Sequence, residues 1–365
     1  MTFDALAIGG GPAGCAAAIR LAQLGLTAAL AEAMPGECKV GESLPPAVKP
    51  LLDQLGASEA CEGALPAYGN QSAWGSGQLR DTDFIGDPNG PGFHVDRACF
   101  EARLRMAAAR HGAVLLAPAR VASIDRRGGA WAVSLRSGQT VSTRWILDCT
   151  GRNAAFAQSQ KARRIHSDRL IAIAAIFDRP QENAPPDRDS RTLVESAEAG
   201  WWYTALMPGA RRVAVFHTDP ATPAYRMART PGGFLELLGA TRHVWPRIAD
   251  HRYQAASPLR IFPANSSRLD QVIGDGWIAA GDAAAAFDPL SSQGIYTALY
   301  GGLQAAEAVR AALDRAPGAA DRYRRIVRQV FDAYLDTRSR YYAMERRWVE
   351  SCFWISHSNS PASAV

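Results

Sequence analysis

Lysine is nearly absent from this 365-residue chain. It has three, Lys39, Lys49 and Lys161, and every other basic side chain is arginine. Residues 50–160 contain none, which excludes any reaction that needs a lysine amine in that stretch. No apolar run reaches the roughly 18 residues of a membrane-spanning helix, so no membrane span is expected. The six cysteines, Cys15, Cys38, Cys61, Cys99, Cys149 and Cys352, are scattered without a C-x-x-C pair, and the seven histidines are dispersed. Free reduced thiols and no metal site are therefore expected. The N-terminus has neither a charged n-region nor a cleavage site, which reads as a cytoplasmic protein. No nucleic-acid motif occurs. The modest net charge of +5 fits either a solvated basic face or an attraction for an acidic partner.

What is present begins at residue 3. Residues 3–8 (FDALAI) form a short apolar run suited to a buried parallel strand. Gly9-Gly10-Gly11-Pro12-Ala13-Gly14 fits G-x-G-x-x-G, an Ala-rich helix follows, and residues 27–31 (TAALA) form a second strand ending at Glu32. In such a unit Gly9 permits the tight turn, Gly11 lets the backbone approach a pyrophosphate, and Gly14 lets helix and strand pack closely. The helix N-terminus at Pro12 and Ala13 favours the phosphate charge, and Glu32 accepts from ribose hydroxyls. No second G-x-G-x-x-G occurs, so there is no dedicated nicotinamide domain. Reducing equivalents then come from NAD(P)H docking transiently, from a separate reductase, or from free reduced flavin.

Three further segments distinguish FAD from NAD. Residues 145–152 (WILDCTGR) read as a strand returning beside the dinucleotide. Residues 93–97 (FHVDR) lead into an amphipathic helix, where Arg97 reads equally as a cofactor contact or a surface ion pair. Residues 276–282 (GWIAAGD) form a strand ending at Gly281-Asp282, followed by 288–295 (DPLSSQGI) and a small-residue helix. Asp282 can hold ribityl hydroxyls. The helix starting near Gly294 aims N–H groups at the flavin pyrimidine, where the reduced ring carries negative charge.

The combination of G-x-G-x-x-G, Gly41-Glu42-Ser43-Leu44-Pro45-Pro46, Asp-Arg before a helix, Gly281-Asp282 and Asp288-Pro289-Leu290 resembles the flavin-dependent monooxygenase and halogenase superfamily over nearly the whole chain. G-E-S-L-P-P, G-W-W-Y and D-P-L-S-S-Q-G together most resemble the flavoprotein maturases of tryptophylquinone enzymes, those serving lysine and glycine oxidases. The resemblance implies an α/β fold: a Rossmann-like, glutathione-reductase-type FAD domain, an antiparallel-sheet substrate domain and a C-terminal helix. It implies FAD bound non-covalently, with contacts at Gly9, Gly11, Pro12, Ala13, Gly14, Glu32, Ser43, Arg97, Gly281, Asp282, Pro289, Gly294 and Ile295. The FAD lobe is expected over 1–68, 93–160 and 256–315, and the substrate lobe over 69–92 and 161–255. The substrate lobe's strands are expected at 170–177, 191–196, 200–206 and 211–217. A turn or mobile loop is expected at 179–190. A C-terminal helical segment spans 316–357, with its helix over 320–349 and a stripe through Tyr323, Val327, Val330, Tyr334, Tyr341 and Trp348. The last eight residues are expected to be disordered.

Halogenases of the superfamily use a lysine in the segment after the G-E-S motif and keep a Trp-x-Trp-x-Ile-Pro signature. Here residues 50–160 lack lysine, and the chain reads Trp201-Trp202-Tyr203-Thr204-Ala205-Leu206-Met207-Pro208. Both departures argue for oxygenation of an electron-rich aromatic ring through a C4a-hydroperoxyflavin, a reaction needing no further nucleophile. The ring belongs either to a Trp of a partner polypeptide, a quinone-cofactor oxidase precursor, or to a small aromatic metabolite. A flavin reductase or dehydrogenase, and a non-catalytic FAD-stabilised binding protein, are the alternatives from other classes. Trp201, Trp202 and Tyr203 are substrate-side candidates, each also readable as core. His94, His166 and His217 are acid–base candidates, each also readable as structural. Asp288 either sits over the flavin or caps the following helix. Arg163, Arg164, Arg324 and Arg325 are expected to form an Arg-rich surface that steers an acidic partner.

Overall fold

The computed structural model describes residues 1–34, 40, 42–180 and 184–358. Gly41 of the G-E-S motif, Cys38, Lys39 and all but Ser358 of the last eight residues lie outside them. Two sheets organise the chain. In the first, the strand Thr2–Ile8 lies between Ala28–Ala31 and Thr140–Asp148, parallel to both. Val114–Leu116 and Trp277–Ala279 extend the parallel set on either side. The apolar run of residues 5–8 is buried throughout, as a parallel strand covered on both faces requires. The antiparallel strands Val121–Arg127 and Ala130–Leu135 add a ribbon beside Thr140–Asp148.

Two helices rich in small residues cover this sheet, Pro12–Gln23 and Gly294–Leu313. Small residues set their spacing: a Cβ on Gly302 would stand 2.1 Å from the Ala13 carbonyl oxygen. The glycine turn and the end of the Trp277–Ala279 strand are thereby drawn together.

The second sheet runs in the order Gln254–Ala255, Ile171–Asp178, Arg211–Thr218, Gly200–Met207, Thr192–Ala197, Gly69–Ala73 and Arg80–Asp83. It departs from a purely antiparallel sheet at one pair: Gly69–Ala73, which reaches the sheet from far earlier in the chain, runs parallel to Thr192–Ala197. Alternation divides its side chains. Trp202, Phe216, Ile173 and Phe177 pack with Phe234, Leu238 and Ile248 of the covering helices. Trp201, Val213, Val215 and Ala174 face the other way, onto Trp74, Tyr342, Phe353 and Trp354.

One expectation about connecting segments needs correction, the extent of the C-terminal helix. The part of the 179–190 stretch that is described carries no helix or strand, as a turn or loop would, and it is tied to the sheet. Asp187 accepts from Arg212 Nη2 at 2.6 Å and from the Tyr253 hydroxyl at 3.0 Å, with the Asp187–Arg212 pair almost fully buried. The C-terminal helix ends at Met344, and Trp348 lies in the turn before the Cys352–Ser358 helix. Its buried stripe runs through Tyr323, Phe331, Arg338 and Tyr342, leaving Tyr341 half exposed. The helix crosses from the first sheet to the second, so the side facing protein drifts along its length. Among the described residues no disulfide forms, no cluster of metal-ligating side chains occurs, and no helix is long and apolar enough to cross a membrane.

Candidate functional site

The glycine turn shows why each glycine stands where it does. Gly9 has φ +108°, and a Cβ there would lie 2.2 Å from the Cys149 carbonyl oxygen. A Cβ on Gly14 would lie 1.9 Å from the Gly9 carbonyl oxygen. Packing within the protein therefore demands both. Gly11 differs: its backbone is extended, and a Cβ would meet no heavy atom within 4 Å. That open space lies over the first turn of the Pro12–Gln23 helix, which has Pro12 at its start and no side-chain cap. Glu32 closes the pocket from the end of its strand, accepting from the Gly10 N–H at 2.7 Å and the Met34 N–H at 2.8 Å. Arg105, buried, donates to the Gly10 carbonyl at 3.1 Å and adds a cation beside the turn. Nothing local in the sequence marked Arg105, because the contact joins segments 95 residues apart.

A second loop group lies against the same helix. Gly281 has φ +60°, and a Cβ there would approach the Ala13 Cβ to 2.7 Å, so the Gly281–Asp282 turn sits on the helix start. The Asp282 carboxylate is part-exposed, 3.6 Å from Arg152 Nε. Arg164 donates to the carbonyls of Asp282 and Ala283 at 3.1 and 2.8 Å. Pro289 begins a short 3-10 turn, and Gly294 starts a 20-residue helix whose N-terminus carries no side-chain cap, with Ile295 buried behind it. Open N–H groups at two helix starts, acceptors at Glu32 and Asp282, and a cradle that a Cβ at Gly11 would fill together fit a dinucleotide.

Asp288 is not poised over this groove. It is fully buried, and both its oxygens are engaged. Oδ1 accepts from the Leu290 N–H at 2.8 Å, while Oδ2 accepts from the Tyr342 hydroxyl at 2.7 Å and Arg338 Nε at 3.1 Å. Arg338 also pairs with Asp168 at 3.3 Å. This network fixes the 288–291 turn to the C-terminal helix, so of its two readings the capping role is the one the geometry carries.

Trp201 and His217 also move to the core. Trp201 is fully buried, donates to the Tyr342 hydroxyl at 3.0 Å, and stacks on His217 with 3.6 Å between ring centroids. Burial pushes His217 down to about 3, so it stays neutral. Trp202 belongs to the opposite face with Phe216 and Phe234. His166 is exposed, with its ring beside the Asn265 amide at 2.6 Å. The arginines expected to steer a partner are divided. Arg163 pairs with Asp270 and Arg324 with Asp321, Arg164 turns inward to the Asp282 loop, and Arg325 is exposed.

Tyr203 is the aromatic residue of the 201–203 trio that stays half-buried. It lies on the sheet face that Val40, Val194, Phe262, Leu290 and Trp348 also line. Its hydroxyl hydrogen-bonds with the Glu42 and Thr192 side chains, and burial together with the Glu42 charge holds its acidity far below that of a free phenol. Thr192 Oγ1 lies 3.0 Å from His94 Nε2 and 3.4 Å from Ser43 Oγ. Burial pushes His94 down to about 4. Arg97, mostly buried, donates to the Val40 carbonyl at 3.2 Å and to Glu101 at 2.5 Å, so it secures the residue-40 loop rather than forming a surface ion pair.

Residues 78–364 match the family model described as tryptophan halogenase. The chain belongs to the tryptophan halogenase family of flavin-dependent oxidoreductases. It is 27% identical to the FAD-dependent oxidoreductase LodB of Marinomonas mediterranea, over 97% of this chain and 96% of LodB. It is 24% identical to a pyrrole-carbonyl carrier-protein brominase of Pseudoalteromonas luteoviolacea, over 86% of this chain and 78% of the brominase. Among solved structures, the myxobacterial chondrochloren halogenase CndH superposes with a TM-score of 0.86 at 22% identity, covering 98% of this chain and 86% of CndH. The peptidyl tryptophan dihydroxylase QhpG superposes at 0.77 with 25% identity, covering 99% of this chain and 80% of QhpG.

Two of the three lysines of this chain, Lys49 and Lys161, fall among the described residues. Lys49 Nζ donates to the Asn89 carbonyl at 2.7 Å and stands over the Phe93 ring. Lys161 is exposed in a left-handed turn after the short Ala155–Ser159 helix. The side chains acting on the Tyr203 hydroxyl are Glu42, Thr192 and Arg212, none of them a lysine.

Proposed function

We propose that this protein is an FAD-dependent monooxygenase that hydroxylates an electron-rich aromatic ring, a Trp side chain of a partner polypeptide during maturation of a tryptophylquinone-type cofactor. One observation carries the choice of oxygenation over halogenation. The face around Tyr203 offers a phenol, a carboxylate and apolar side chains, and the groups acting on its hydroxyl are Glu42, Thr192 and Arg212, none of them a lysine. The polypeptide substrate is supported by the likeness to QhpG, named as acting on a peptidyl tryptophan, and to LodB along almost the full length of both chains.

FAD would lie with its pyrophosphate on Gly11 and the Pro12–Gln23 helix, its adenosine ribose at Glu32, its ribityl chain at Asp282, and its ring between Ser43, Arg97 and the Gly294 helix start. When bound and reduced it supplies activated oxygen. The protein's own residues position the ring, exclude water and handle protons. Gly294–Leu313 presents open N–H groups that favour negative charge. With a single G-x-G-x-x-G unit, reducing equivalents come from outside, from NAD(P)H or a flavin reductase.

Halogenation is the second reading, favoured by the several halogenase-named relatives. Co-expression with a quinone-cofactor oxidase precursor, followed by peptide mass mapping, tests the proposal. Oxygen on a precursor Trp is expected. Efficient hydroxylation of a free indole or phenol with an unmodified precursor would replace the polypeptide substrate by a small aromatic one.

A further inference from the structure

A small antiparallel sheet of Ser43–Leu44, Gly92–His94 and Leu65–Ala67 meets the second sheet at a seam that buries polar side chains. Glu42 and His94 are fully buried, and Thr192 almost so. Burying such groups costs several kcal/mol unless they bond one another, so hydrophobic residues would seal the seam at lower cost. The bonds form a chain that runs from Glu42 to Tyr203, then to Thr192, and on to His94 and Ser43. Glu42 is anchored through its backbone, because the Val95 N–H donates to its carbonyl at 2.9 Å. Tyr203 is half-buried on the same face as Val40, Phe262 and Leu290, so it is the member of the chain that reaches out of the seam onto that face.

We propose that Tyr203 accepts the N–H or O–H proton of the bound aromatic ring and passes its own proton to Glu42; this rests on the hydroxylase reading above. In the step, the substrate's heteroatom–hydrogen bond breaks and its proton bonds to the Tyr203 oxygen. The Tyr203 O–H bond breaks and its proton bonds to the Glu42 carboxylate. One proton leaves the substrate, one arrives on Glu42, and no electron moves. The resulting ring anion has more electron density at the carbon that takes up oxygen. Tyr203 is the group that touches substrate, and Glu42 is a positioning residue that acts through it. A phenol hydroxyl both donates and accepts, which the transfer requires. Because the phenol is held protonated at neutral pH, it relays a proton and does not act as a standing base. The charged and titratable groups facing the pair are Arg212, balanced by Asp187 at 2.6 Å, and neutral His94.

The test uses the FAD-loaded protein with reductant, dioxygen and a Trp-containing peptide of the precursor. Tyr203→Phe should cut ring oxygenation roughly 10²–10⁴-fold, the contribution typical of a general base. Dioxygen consumption should continue and emerge as hydrogen peroxide, with the bound-flavin spectrum unchanged. Glu42→Gln should lower the rate of ring oxygenation with the bound-flavin spectrum unchanged, and Glu42→Asp should restore part of the rate. The same peptide with an N-methylated Trp has no proton to give, and wild-type protein should oxidise it as slowly as Tyr203→Phe oxidises the parent. This last comparison does not depend on any variant folding. Equal rates on the two peptides, or a Tyr203→Phe variant with the wild-type rate and pH profile, would overturn the inference alone. Wild-type protein that oxygenates no ring at all would overturn the hydroxylase reading and this inference with it.

Discussion

Replacing Gly11 with valine should leave the FAD-free protein folded and abolish FAD binding. The residue has φ −77° and ψ −174°, extended backbone that any amino acid adopts, and a Cβ there meets nothing within 4 Å. The folding cost should stay within about 0.5 kcal/mol, as for an ordinary surface change. The space that valine fills is the approach to the first turn of the Pro12–Gln23 helix. Hydrogen bonds from N–H groups to a charged oxygen contribute about 1.5–3 kcal/mol each. Losing two raises Kd by roughly 10²–10⁴-fold. Gly14→Ala is the contrasting change. Its Cβ would stand 1.9 Å from the Gly9 carbonyl oxygen, forcing helix and turn apart. Such overpacking costs about 1–3 kcal/mol or more, so stability and binding should fall together. FAD titration followed by flavin fluorescence, paired with urea unfolding of FAD-free protein, separates the two cases. A Gly11→Val protein with wild-type FAD affinity would refute the placement of the phosphates.

Three further outcomes follow from the same geometry. Asp288→Ala leaves Arg338 with Asp168 alone and takes the Tyr342 hydroxyl's acceptor away, so unfolding free energy should drop by about 3–5 kcal/mol; an unchanged urea midpoint would contradict the buried network. His217 and His94 are held at about 3 and 4, below the ordinary 6.5, so the unfolded chain binds protons that the folded one refuses as pH falls below 6.5. Stability should therefore decline from pH 6.5 towards 4 by up to about 1.4 kcal/mol per pH unit for each histidine. His217→Phe should flatten that slope by one histidine's share, and a slope identical to wild type would show that His217 is protonated in the fold. Asp282→Ala should weaken FAD binding by about 1–3 kcal/mol in the same fluorescence titration, and no change would remove Asp282 from the cofactor's contacts.

Much of the fold is legible in the sequence where the signal is local. The run at 3–8, the glycine turn and Glu32 fall in register because one βαβ unit encodes them consecutively. The strands expected at 170–177, 191–196, 200–206 and 211–217 form within a residue or two, since alternation and bounding turns fix them. Side-chain fate was less legible, because it depends on what the chain brings from a distance. Trp201 is core only because Tyr342 and Trp74, remote in sequence, close over it. Asp288 is buried because Arg338 and Tyr342 lie on a helix some fifty residues on. Arg105, Arg152 and Arg164 look like ordinary surface arginines until the fold turns them onto the Gly10 carbonyl and the Asp282 loop. The Glu42–Tyr203–Thr192 contact joins three separate stretches, and only the G-E-S motif gave any hint of it.

The central claim, oxygenation rather than halogenation, is tested most directly by one competition. FAD-loaded protein, an external reductant, the precursor polypeptide and excess bromide are supplied with isotopically heavy dioxygen, and the product is read by peptide mass mapping. The account predicts a Trp that carries the heavy oxygen isotope and no bromine, unchanged when bromide is omitted. A brominated ring, formed only when bromide is present, would contradict it.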